Sequence, residues 1–123
     1  MHQVISKKYK EHFDQLFMIE VSEYLFDPIT ALRNINELLK KGGLLYISFH
    51  FIYPQHSPKG LDYLRYTPAG AEKLLREAGF KIIENIPRVS KVDFTQAWNI
   101  EQMRGWKDFD NTIIGSLIKA QKI

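Results

Sequence analysis

The 123 residues contain no cysteine, which excludes a disulfide framework, a thiolate metal site and a cysteine nucleophile. No apolar run approaches the ~20 residues that span a bilayer. The longest stretches, such as Leu44-Leu45-Tyr46-Ile47 with Phe49 just beyond, suit a buried strand. Met1-His2-Gln3-Val4 carries no apolar signal core. The seven glycines form neither G-x-G-x-x-G nor G-x-G-x-G, so no dinucleotide fingerprint is present. His2, His12, His50 and His56 lack metal-ligand spacing and no acid cluster accompanies them along the chain, so no metal is expected. His50 reads as a satisfied strand-end residue.

Charge of one sign is scarce too. Seventeen Lys and Arg face fourteen Asp and Glu, a formal +3. The cations are dispersed: Lys7, Lys8 and Lys10 near the start, Lys40-Lys41 after a helical pattern, the rest among acids. Without a basic stripe or motif, no nucleic-acid partner is expected. With 45% apolar and 13% aromatic residues, the chain is globular in composition. Residues 1–123 are read as one cytoplasmic domain without a membrane partner, able to bury about two-thirds of its unfolded surface.

The pattern along the chain alternates. Phe13 to Ile19 is nearly continuous apolar sequence, as in a strand buried on both faces. Asp27-Pro28 opens a helix, the carboxylate capping free N–H groups and the proline suiting the first turn. Ile29, Leu32, Ile35, Leu38 and Leu39 form its apolar stripe. Lys40-Lys41-Gly42-Gly43 is expected to close that helix, with cations at the negative end of the dipole. Leu44 to Phe51 predicts a second strand, followed by a loop marked by Pro54 and Pro58. Thr67-Pro68 starts a second helix with Ala71, Leu74, Leu75 and Ala78 inward, Glu72 and Arg76 outward, and Gly79 at its end. Phe80 to Ile86 is a third strand. Residues 88–112 combine polar residues with Phe94, Trp98, Trp106 and Phe109, as a lid or a partner surface, with a short helix near 96–104. Thr112 to Lys122 reads as the last strand, with a bulge at Gly115.

These segments resemble the C-terminal half of a class I S-adenosylmethionine-dependent methyltransferase of the broad small-molecule (type 11-like) kind. Residues 13–25 are similar to the family's fourth strand and following motif. Asp27-Pro28 through Ser48 resembles its helix, Gly-Gly turn and fifth strand. Tyr53-Pro54-Gln55-His56 with Asp62-Tyr63-Leu64-Arg65-Tyr66-Thr67-Pro68 resembles a loop of one subgroup. Leu74 to Phe80 resembles the junction into the sixth strand, and Gly115 to Lys122 the terminal antiparallel strand. Tyr24 stands where many relatives carry His, and Leu64 where the subgroup usually has Trp. The Gly-rich loop and the ribose-binding acid of the family have no counterpart here.

The resemblance implies an α/β fold: a partial Rossmann-like methyltransferase sheet, strands four to seven, with mostly parallel strands and one antiparallel C-terminal strand. Parallel strands are expected at 13–20, 44–51 and 80–87, with 113–122 inserted antiparallel between the latter two. It implies cofactor contacts from Glu20, Val21 and Ser22, and substrate contacts from Tyr24, Tyr63, Arg65 and Tyr66. His56 is the candidate catalytic base and Arg65 a holder of anionic groups. S-adenosylmethionine would bind only if the missing half were supplied, so the isolated chain is expected to be inactive. The acceptor, a small molecule, is not legible. The competing reading is a non-catalytic α/β module that dimerises or binds a partner. Strand 13–20, deprived of a neighbour, is expected to drive a homodimer or pairing with a complementary chain. Apolar surface near Ile29–Leu39 is expected to be uncovered.

Overall fold

The computed structural model describes residues 7–55, 58, 60–90 and 113–123. Four strands and two helices follow in chain order: β1 (Phe13–Met18), α1 (Pro28–Leu38), β2 (Leu39–His50), α2 (Pro68–Glu77), β3 (Phe80–Val89) and β4 (Ile113–Lys122). They form one α/β sheet of order β1-β2-β4-β3. β1 pairs parallel to β2, while β4 pairs antiparallel to both β2 and β3. By ladder the sheet is therefore mostly antiparallel, which corrects the expectation of a mostly parallel one. Inserting β4 between β2 and β3 accounts for this, since one reversed strand converts two neighbouring ladders.

Both helices start as their sequences dictate. The Asp27 carboxylate accepts from the Thr30 N–H at 3.2 Å, and the Thr67 hydroxyl accepts from the Gly70 N–H at 3.0 Å. Gly79, at φ +90°, turns the chain out of α2, and its carbonyl accepts from the Asn36 side chain at 3.0 Å, joining the two helices.

The end of α1 departs from expectation. The helix stops at Leu38, and Lys40-Lys41-Gly42-Gly43 lies within β2 rather than closing the helix. The register moves from Phe13↔Leu39 to Gln15↔Leu44, so the Lys-Lys-Gly-Gly segment bulges out of the ladder. Lys40 then reaches the Asp14 carboxylate at 2.9 Å instead of the helix carbonyls.

Both helices pack on one face. Leu32, Leu45, Ile47, Leu75 and Ile118 are fully buried there, with Ala31, Ile35 and Leu39 beside them. The stripe expected to be uncovered near Ile29–Leu39 is thus the core, and truncating Leu32 to Ala would cost about 2–5 kcal/mol. The uncovered surface lies on the opposite face, where Phe17 (66% exposed) stacks on Tyr46 at 4.9 Å. Phe17 stays mostly exposed beside Tyr46, so β1 is buried on one face rather than both. The proposed helix near 96–104 and the aromatics Phe94, Trp98, Trp106 and Phe109 lie outside the described residues.

Candidate functional site

β1 ends at Met18, two residues before the expected end. Glu20 sits at φ +56°, outside extended backbone, and turns the chain into a short 3-10 segment, Ser22–Tyr24. Ser48, near the carboxyl end of β2, holds this turn. Its hydroxyl oxygen accepts from the Glu20 N–H at 2.7 Å, and its carbonyl accepts from the Ser22 hydroxyl at 2.7 Å. Ser22 is fully buried, so its side chain serves the turn itself.

The last residue of β2, His50, is 1% exposed. Its Nε2 lies 2.5 Å from Glu20 Oε2 and 3.5 Å from Glu23 Oε1. Glu23 is fully buried. The imidazole stacks on Tyr53 with ring centroids 4.1 Å apart. Glu20 Oε1 in turn accepts from Arg88 of β3 at 2.7 Å and from the Ser48 hydroxyl at 3.3 Å. The fold thus builds the acid–histidine cluster that linear spacing did not reveal.

A loop carrying Asp62 to Tyr66 closes over these groups. The N–H groups of Tyr63 and Leu64 donate to the Glu23 carbonyl at 2.8 and 3.2 Å, and the Tyr66 N–H donates to the His50 carbonyl at 2.7 Å. The Tyr66 hydroxyl donates to the Ser22 carbonyl at 3.2 Å. Burial, with the nearby Glu23 charge, pushes the Tyr66 phenol up to about 12. Tyr24 is raised as well, chiefly by burial and then by Glu23.

Arg65 is a strut. Nη1 and Nη2 donate to the two Asp62 oxygens at 2.5 and 2.7 Å, Nη1 to the Leu64 carbonyl, Nη2 to the Pro54 carbonyl and Nε to the Tyr53 carbonyl. The Asp62 hydrogen bonds raise its pKa above the ordinary arginine value. A guanidinium has five N–H donors, and five protein contacts account for them.

Of the residues named from the sequence, Glu20, Val21, Ser22, Tyr24, Tyr63, Arg65 and Tyr66 gather at the carboxyl ends of β1 and β2. That is where open α/β sheets bind ligands. His56 lies outside the described residues. Sequence reasoning missed the roles of Ser48, His50, Asp62 and Arg88. One signal was available: polar Ser48 and His50 alternate with Ile47 and Phe49, marking a second strand face that is not core.

No protein-family model matches the chain, and no curated protein does. Solved structures do. A candidate methyltransferase of Haloferax volcanii, in complex with the activator Trm112, superposes with TM-score 0.59 at 19% identity over 92% of this chain and 55% of its own. A candidate methyltransferase of Bacillus halodurans gives TM-score 0.70 at 18% identity over 98% and 68%. Phosphoethanolamine N-methyltransferase 2 of Haemonchus contortus, in complex with S-adenosyl-L-methionine, gives 0.62 at 18% over 92% and 34%. The chain spans about half the length of the first of these, and from a third to two-thirds of the others. At such identities the likeness is one of fold: the chain has the α/β fold found in S-adenosylmethionine-dependent methyltransferases.

Proposed function

We propose that this chain is the C-terminal half of a class I S-adenosylmethionine-dependent methyltransferase and forms the acceptor side of its site. The observation that carries the reading is the β1-β2-β4-β3 order with Glu20–Tyr24 and the Asp62–Tyr66 loop meeting at the carboxyl ends of β1 and β2. The donor chemistry fits one side of the cofactor. With Ser22 and Glu23 buried, the Glu20–Val21 backbone is the accessible part of the turn, which suits the amino-acid portion of the cofactor. When bound, S-adenosylmethionine supplies a methyl group already activated by its sulfonium.

The chain's own task is orientation. Tyr24 and Tyr63 offer phenolic surfaces to a small acceptor, Tyr66 fixes the turn, and Arg65 keeps the loop in place rather than grasping an anion. His56 remains the candidate base for the acceptor proton. The other side of the cofactor site would come from a segment with a strand and Gly-rich loop, in the same protein or in another chain. The candidate methyltransferase of Haloferax, seen with an activator protein, supports a protein partner. No helix among the described residues is long and apolar enough to cross a membrane.

Calorimetry with S-adenosylmethionine tests the reading. The isolated chain should bind weakly or not at all, and binding should appear when the segment bearing the Gly-rich loop is added. Low-micromolar binding by the chain alone overturns it.

A second reading is a non-catalytic association module. It is favoured by β1, an edge strand with exposed Phe17 and neither proline nor lysine to discourage pairing. Sedimentation equilibrium separates the two. A stable dimer that excludes the Gly-rich segment supports the module, and a monomer that accepts it supports the half-enzyme.

A further inference from the structure

We propose that Glu20, Glu23 and His50 form a binding site for one divalent first-row transition cation. One oxygen from each carboxylate and one imidazole nitrogen lie within 4.8 Å of one another. The three donors come from a turn and a strand end that the Ser48 hydrogen bonds lock together. Two of the three are buried, Glu23 at 0% and His50 at 1%, unlike the solvated acidic groups common on surfaces. A fully buried carboxylate is retained where a charge or a cation answers it.

The arrangement is oriented as a ligand set. Arg88 and Ser48 engage Glu20 Oε1, which leaves Oε2 facing His50 Nε2. Such outer contacts fix the direction in which a ligand atom points. One imidazole with two carboxylates suits Zn²⁺, Mn²⁺ or Fe²⁺ better than Mg²⁺ or Ca²⁺. Three protein ligands leave coordination positions open, and the half-exposed Glu20 side chain (41%) places them on the solvent side. The cation would sit between Nε2 and Oε2, now 2.5 Å apart. Tetrahedral bonds of about 2.0–2.2 Å hold ligand atoms roughly 3.4 Å apart, so the 3.5 Å spacing of Nε2 and Glu23 Oε1 fits and the Glu20 carboxylate must draw back from Nε2. Protons compete with a cation for carboxylate and imidazole ligands, so affinity should fall in acid. The site does not depend on the methyltransferase reading.

The test is titration of the full chain with Co²⁺, followed by visible absorption, with Zn²⁺ calorimetry alongside. One Co²⁺ per chain is expected, displaced by Zn²⁺ but not by Mg²⁺, with affinity at least about tenfold lower at pH 5.5 than at pH 7.5. Glu20→Gln, isosteric and at a half-exposed position, should weaken binding at least about tenfold, and His50→Gln should abolish it. Absence of Co²⁺ bands from the wild-type chain, or equal binding by wild type and Glu20→Gln, overturns the proposal. In that case the cluster is only a histidine paired with two carboxylates.

Discussion

Arg88 and Glu20 join the two edge strands of the sheet: the guanidinium of β3 meets the carboxylate at the end of β1 at 2.7 Å, across the ends of β2 and β4. The partners are 34% and 41% exposed, so solvent screens much of their attraction. A double-mutant cycle of Arg88→Ala and Glu20→Gln, read by urea denaturation, should give a coupling energy below about 1 kcal/mol, weakened further by salt. A larger, salt-insensitive coupling would mean the pair is desolvated in solution.

Glu72 gives an acid-limb prediction. The Asn85 side chain donates to its carboxylate at 2.9 Å and Arg76 at 3.2 Å, and these contacts lower its pKa, Asn85 most strongly. The stability this contributes is present above the ordinary glutamate value near 4.5 and is lost as pH falls through the lowered folded value. Asn85→Ala should flatten the fall in urea midpoint below that pH and leave the neutral region less affected. An unchanged acid slope would show that the contact does not persist in solution.

Tyr66 predicts the opposite limb. Its phenol ionises near 10 when unfolded and about 12 when folded, so the folded chain keeps a proton that the unfolded chain releases. Stability should therefore decline as pH rises from 10 towards 12. Tyr66→Phe should remove that part of the slope, and ultraviolet titration should show one fewer late-ionising tyrosine.

Much of this fold could be read from residue order, and the reasons are local. Asp27-Pro28, Thr67-Pro68 and Gly79 act on their own neighbours, so their effect survives whatever surrounds them. Lys40-Lys41-Gly42-Gly43 was misread because cations and glycine satisfy the rules for a helix end equally well as for a strand bulge. Only pairing with β1, some 26 residues away, decides between them, and Lys40 then meets Asp14. The sites behave likewise. Tyr24, Tyr63 and Tyr66 lay in loops already suspect, whereas Arg65 looked available until Asp62 and three carbonyls had used its donors. His50 and Glu23, 27 positions apart, become one cluster only when β1 pairs with β2.

Gly115 offers a steric prediction. A Cβ there would lie 2.3 Å from the Phe49 carbonyl oxygen, which belongs to the backbone of the paired strand and cannot swing aside. Gly115→Ala should cost about 2–3 kcal/mol in urea denaturation, with the denaturant slope preserved. A loss below about 0.5 kcal/mol would mean that the β2–β4 ladder relaxes locally.

The position of β4 has a consequence for how the chain reaches its native state. β4, the last described strand in chain order, is an interior plank, gripped on both sides, and its arrival joins β2 to β3. Among the described strands, β3 has no ladder and β2 has only β1 until residues 113–122 leave the ribosome. A nascent chain halted before Ile113 would hold one two-stranded parallel hairpin-free pair and a stranded third strand, with the apolar helix faces only partly seated. Folding is thus gated by the final ten residues of the sheet, and its contacts are long in sequence, a topology that closes slowly. Loss of those residues would split the protein through its middle instead of trimming an edge.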